Sequence, residues 1–203
     1  MRQQLQTMLE LQDAINTRTH PDWRVQQFEW RRAIWVECAE LMDHFGWKWW
    51  KKQSRDIQQV KLELVDIWHF GLSLLLQENA EVNFIEKQLD RGLKASVTMG
   101  FCEQVEVLAH DVLAGQLFNV ECFGRLMRTI NLSFDDLYTD YIGKNVLNFF
   151  RQDNGYKEGN YQKVWNGRED NEHLTDIIPT LDTAAADFKD QLYRALNDRY
   201  AER

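Results

Sequence analysis

Two pairs of carboxylates stand in apolar, helix-like sequence: Glu37-x-x-Glu40 within VECAELMD and Glu63-x-x-Asp66 within LELVDIWH. Residues three apart on an α-helix share a face, so each pair sets two acids on one side of its helix. The first pair is flanked by Ala33, Ile34, Trp35, Val36, Cys38, Ala39, Leu41 and Met42, the second by Leu62, Leu64, Val65, Ile67, Trp68, Phe70 and Leu72. Such flanks predict helices buried on nearly every side, and unpaired charge in a dry place is costly. A divalent cation is the simplest resolution. Hard ions such as Mg²⁺ prefer oxygen ligands, and two of them about 3.5–4 Å apart can clamp a phosphate during in-line displacement. An isolated E-x-x-E is more often a solvated helix face; it is the apolar setting of both pairs that favours a metal.

A second stretch with chemical potential is YIGKNVLNFFRQDNGYKEGNYQKVWNGREDNEHL, residues 141–174. Its helical start presents Lys144, Asn148 and Arg151 at intervals of four and three, hence on one face. A glycine-punctuated loop then adds Asn154, Tyr156, Lys157, Tyr161 and Lys163. Guanidinium and ammonium groups interleaved with hydroxyls and amides suit phosphate oxygens, because charge-assisted hydrogen bonds are the strong ones. Taken alone the stretch reads as an ordinary solvated loop. Beside a metal site it reads as the second half of a phosphate site.

These groups need elements to hold them. The chain has 203 residues with only two prolines, Pro21 and Pro179, and long runs of apolar residues at three-and-four spacing, which predicts an all-α helical bundle, residues 1–203, as one domain or one domain with a large insertion. A first helix is expected over about 3–17, a second from near Asp22 to about Phe45, and a third over about 55–78. The second and third are joined by GWKWWKKQSRD, and together they would form an antiparallel pair with facing acids. Further helices are expected between breaks at Gly92, Gly100, Gly115 and Asn131-Leu132-Ser133, with Ser133 starting a helix ahead of Asp135 and Asp136. No strand-turn-strand signal stands out, and a single closing helix is expected from Leu174.

The net charge of −8 disfavours nucleic acid or anionic membrane as partner. The first residues carry no apolar signal-peptide core, and no stretch of about 18 apolar residues could span a bilayer, so a cytoplasmic location is expected. Cys38, Cys102 and Cys122 are odd in number and lack C-x-x-C spacing, which predicts reduced core thiols.

Four segments in order carry a family resemblance: LQDAIN at 11–16, ECAELMDHFGWKWWK at 37–51, ELVDIWHF at 63–70 and KNVLNFFRQDNGYKEGNYQKVWNGREDN at 144–171. The chain resembles the dimeric all-α dUTP pyrophosphatases, relatives of the MazG-type nucleoside triphosphate pyrophosphohydrolases. The resemblance implies a homodimer that converts dUTP, and dUDP, to dUMP with two or more Mg²⁺ ions per site, and a single domain whose insertion is helical and lies at about 79–135. It assigns the metal to Glu37, Glu40, Glu63 and Asp66, with Glu40 chosen as the general base for the attacking water. It assigns the uracil to Gln12 and Asn16, whose amides both donate and accept, and to a tryptophan among Trp47, Trp49 and Trp50. Phosphates and sugar fall to Lys144, Asn148, Arg151, Tyr156, Lys157 and Lys163.

Other readings are weaker. A di-iron carboxylate bundle needs E-x-x-H on two helices, and none occurs; Asp66-x-x-His69 is one imperfect match, so His69 is expected to be a hydrogen-bonded core histidine. A helical interaction protein docking through GWKWWKK leaves the four acids without a role. Within the superfamily, dCTP or another non-standard nucleotide is the alternative substrate, since amides can turn to suit another base.

Overall fold

The computed structural model describes residues 1–115 and 117–202, which fall into two compact units, Met1–Leu137 and Tyr138–Arg203. The first unit is built from α1 (Arg2–Thr19), α2 (Trp30–Phe45), α3 (Ile57–Gln77), α4 (Val82–Lys94), α5 (Phe101–Leu113) and α6 (Val120–Thr129). A seventh helix, α7 (Phe134–Asp153), begins in this unit and runs into the second.

Helix α3 is the centre of the first unit. Thirteen of its residues, from Val60 to Leu75, are buried, so the sequence reading of a helix buried on nearly every side holds for it. Trp68 stacks on Phe123 at 4.7 Å and leans on Phe118, an arrangement that contributes beyond simple area burial. Helix α1 lays Leu5, Met8, Leu9, Gln12, Ile15 and Asn16 inward, the stripe expected of an amphipathic helix.

Helices α2 and α3 run antiparallel. Arg31 lies 3.9 Å from Glu78, the acids of Glu37 and Asp66 group together, and the His44 carbonyl accepts from the Asp56 amide at 3.0 Å, so rising numbers on α2 meet falling numbers on α3. The linker over 46–56 is non-helical as expected. Two expectations for α2 fail. It starts at Trp30 rather than near Asp22, because 21–26 fold into turns that seat Trp23 in the core with its indole N–H on Asp13. It is also buried on one side only: Trp35, Val36, Ala39 and Glu40 are exposed.

Gly92 is not a break. It lies inside α4, where an added Cβ would sit 2.2 Å from the Glu121 carbonyl oxygen, while one on Gly124 would sit 2.9 Å from the Leu89 carbonyl oxygen. The two glycines let the backbones of α4 and α6 touch. Ser133 starts α7 as expected: its hydroxyl accepts from the Asp136 amide at 3.0 Å and donates to the Asp136 carboxylate at 2.7 Å. The cysteines are reduced, with Cys38 and Cys122 buried and Cys102 half-buried; burial pushes the Cys38 thiol up to about 12 and that of Cys122 to about 11.

The second unit holds most of α7, a two-residue hairpin of β1 (Val164–Trp165) and β2 (Arg168–Glu169), α8 (Asp170–Ile177), a 3-10 turn (Ile178–Thr180) and α9 (Phe188–Ala201). The hairpin corrects the expectation of no strand-turn-strand signal. Val164 pairs with Glu169 and Trp165 with Arg168, and the turn is Asn166-Gly167 with both φ angles positive, at 50° and 79°, the dipeptide that two-residue hairpins favour. The single closing helix is also corrected, since Pro179 and the turns over 181–187 separate α8 from α9. Phe150, Tyr193, Tyr200 and Trp165 pack edge to face, and His173 stacks on Trp165 at 5.0 Å.

Candidate active site

Helix phase decides which acids meet. Antiparallel packing of α2 on α3 brings carboxylate oxygens of Glu37, Glu63 and Asp66 within 4.8 Å of one another. Glu63 is buried, whereas Glu37 and Asp66 are half-buried. Burial pushes the Glu37 carboxyl from 4.5 up to about 8, and the charge of Asp66, a hydrogen bond that the Glu37 carboxyl donates to Glu63, and the charges of Glu63 and Glu40 push the same way. Crowding of like charges in a half-buried place disfavours full ionisation of the three acids together. His44 Nε2 lies 3.6 Å from Glu63 Oε1. Glu40 is exposed on α2 and is not among the grouped acids. Three convergent oxygen donors of this kind fit a hard divalent cation.

Gln12 and Asn16 do share one face of α1, and both are buried. They belong to a polar network in which His69 Nδ1 meets Gln12 Oε1 at 2.8 Å. Gln12 Nε2 donates to Asn16 Oδ1 at 3.1 Å and to Ser73 Oγ at 3.0 Å, and Asn16 Nδ2 donates to Ser73 Oγ at 2.9 Å. The Ser73 hydroxyl donates to the His69 carbonyl at 3.0 Å. With Gln12 Oε1 facing it, His69 carries its proton on Nδ1. His69 is the hydrogen-bonded core histidine expected from the sequence. In the linker after α2, Trp47, Trp49 and Trp50 are all exposed, with the rings of Trp47 and Trp49 edge-on to Trp50 at 5.2 and 5.7 Å.

In the second unit the basic residues are anchored rather than loose. Lys144 is buried and its Nζ donates to Asn171 Oδ1 at 2.9 Å. Arg151 forks onto Asp170, Nε to Oδ2 and Nη2 to Oδ1, both at 2.8 Å, and its Nη1 donates to Asn148 Oδ1 at 3.2 Å. The Tyr161 hydroxyl donates to Asp170 Oδ2 at 2.9 Å. Burial alone would raise the Asp170 carboxyl, but the Arg151 fork and Tyr161 outweigh it and hold it below its usual range. The Arg151 guanidinium lies 5.9 Å from the Tyr156 ring centroid. Tyr156 and Lys157 are exposed, and Lys163 pairs with Glu169 at 3.1 Å.

The family model described as dUTPase matches residues 4–156. The chain belongs to the all-α dUTPase family. It is an enzyme, a dUTP diphosphatase that takes a nucleotide as its small-molecule substrate, and placement in the wider MazG-like superfamily is consistent with this. The family suggests a divalent metal cofactor, for which Glu37, Glu63 and Asp66 form a candidate cluster. No curated protein matches the chain. Among the described residues no helix is long and apolar enough to cross a membrane.

The structure thus gathers three of the four expected acids and joins both expected amides. Within the second unit it links Lys144, Asn148 and Arg151 in one network. Sequence reasoning missed Ser73, Asp170 and Asn171. A serine four residues after His69 on a buried helix gives no warning, whereas the E-D-N that follows the Asn-Gly turn was visible as an N-terminal helix signal.

Proposed function

We propose that the chain hydrolyses dUTP, and dUDP, to dUMP with Mg²⁺, releasing pyrophosphate from the triphosphate and phosphate from the diphosphate. The observation that carries the reading is the convergence of carboxylate oxygens of Glu37, Glu63 and Asp66 within 4.8 Å of one another on two packed helices, an all-oxygen donor set suited to a hard divalent cation. When bound, Mg²⁺ supplies positive charge that polarises phosphate oxygens and acidifies water. Glu37, Glu63 and Asp66 would hold the ions, with Glu40 as a further ligand. Glu40, exposed at the edge of this group, is the residue proposed to take the proton of the attacking water. Gln12 and Asn16 are proposed as readers of the uracil edge, with their amides turned by His69 and Ser73, and Trp47 or Trp49 as the ring beside the base. Contacts to phosphates and sugar are given to Lys144, Asn148, Arg151, Tyr156, Lys157 and Lys163, whose charges would oppose that on the departing pyrophosphate. A homodimer in the cytoplasm completes the proposal.

The test is calorimetric titration of Mg²⁺ into the protein at pH 7 in buffers of different ionisation enthalpy. Binding should release about one proton per site, since ligands must be deprotonated, and Asp66→Asn should abolish it. Absence of Mg²⁺ binding, or binding unaltered in that variant, would overturn the assignment.

A further inference from the structure

Asp170 is the first residue of α8 and is completely buried. The Asn166-Gly167 hairpin explains how it reaches its partners. Closing β1 on β2 brings the Asp170 amide onto the Lys163 carbonyl at 2.9 Å, so the α8 start is stitched to the stem of the glycine-broken loop. From there its two carboxylate oxygens take both arms of Arg151 and the Tyr161 hydroxyl, while Asn171 Oδ1 takes Lys144 Nζ at 2.9 Å and Arg151 Nη2 at 3.4 Å. Asn148 joins through Arg151 Nη1. Two consecutive residues therefore tie down side chains that come from α7 and from the loop beyond it.

The Asp170 carboxylate is sealed from water, and the charges of Arg151 and Lys144 both help to keep it ionised there. A long arginine loses much freedom when it is held, and a bidentate fork fixes both the plane and the position of its guanidinium. Preorganised donors of this kind are worth most where anionic charge develops, because no reorganisation is needed at the moment of reaction. For fold stability alone a buried ion pair is a poor device, often matched by apolar residues of equal volume.

We propose that Asp170, assisted by Asn171, is the positioning residue of the phosphate-holding group, setting Arg151 and Lys144 in place before the nucleotide arrives. This rests on the assignment of Arg151 and Lys144 to phosphate.

The experiment measures dUTP hydrolysis with Mg²⁺ for the full chain and for Arg151→Ala, Asp170→Asn and the double variant, with inhibition by inorganic pyrophosphate and by deoxyuridine alongside. Arg151→Ala and Asp170→Asn should each lower kcat/KM about tenfold or more, and the double variant should be no worse than about twofold below the weaker single, since residues acting as a unit are not additive. In Asp170→Asn the inhibition by pyrophosphate should weaken while that by deoxyuridine stays as in the parent. Wild-type kcat/KM in Asp170→Asn beside an impaired Arg151→Ala overturns the positioning role alone. Wild-type kcat/KM in Arg151→Ala overturns the phosphate assignment and this inference with it. Equal weakening of both inhibitors marks a general structural loss and also overturns it. If Asp170→Asn does not fold, Tyr161→Phe and Asn171→Ala, each of which removes only part of the network, should show the same split between the two inhibitors; parent values in both would overturn the proposal.

Discussion

Glu37 and Glu40 look equivalent in the sequence and are separated by helix phase. Glu37 turns toward α3 and is drawn into the group with Glu63 and Asp66, while Glu40 stays at the exposed edge. Glu40→Gln should therefore lower kcat by about 10²–10⁴, the usual worth of a general base, with the circular dichroism spectrum and melting temperature of the parent. Retained turnover would remove Glu40 from the mechanism. Glu37 gives a pH dependence with a definite sign. Its carboxyl is raised from 4.5 to about 8 in the folded chain, so the native state binds the proton more tightly than the unfolded one. Its contribution to stability is full below the unfolded value and is lost as pH rises through the folded value. In EDTA the melting temperature should fall between pH 5 and pH 8, and Mg²⁺ should restore it at the upper end; a flat profile in EDTA would contradict the cluster. The residue types and the three-residue spacing were legible in the sequence. The dry side of each helix was not, because one-sided burial of α2 depends on what packs against it.

Helix existence was legible where apolar spacing is long and regular, as in α1 and α3, and helix ends were legible where a side chain caps them, as at Ser133. Local punctuation misleads in both directions: Gly92 reads as a break and lies inside α4, whereas Pro179, expected within one closing helix, separates α8 from α9. Gly92 serves a backbone crossing with Gly124 that only the partner helix reveals. Gly92→Ala should accordingly cost about 1–3 kcal/mol of stability or more, as overpacking does, far from the slight gain expected for Gly→Ala in an unhindered helix. Urea denaturation checks this, and an unchanged midpoint would show that α4 and α6 can part freely. The Asn166-Gly167 turn is a short-range hairpin signal inside a stretch expected only to be a glycine-punctuated loop. Its consequence is larger than two paired residues, because it delivers Asp170 to Arg151.

Across the whole chain, family membership and the helical class follow from segments spread from residue 4 to 156, which short motifs alone could carry. The fine assignments within the site had no such support from spacing, since they depend on hydrogen-bond partners such as Ser73 and Asp170 that lie far away in sequence. The proposed homodimer predicts a light-scattering mass twice the 24.2 kDa of the chain, and a monomer mass would refute it. The most direct measurement is pyrophosphate release from each deoxynucleoside triphosphate with Mg²⁺ and with EDTA. The account predicts rapid release from dUTP, little from dTTP or dCTP, and none in EDTA; preferential turnover of dCTP, or turnover of dUTP undiminished by EDTA, would contradict it.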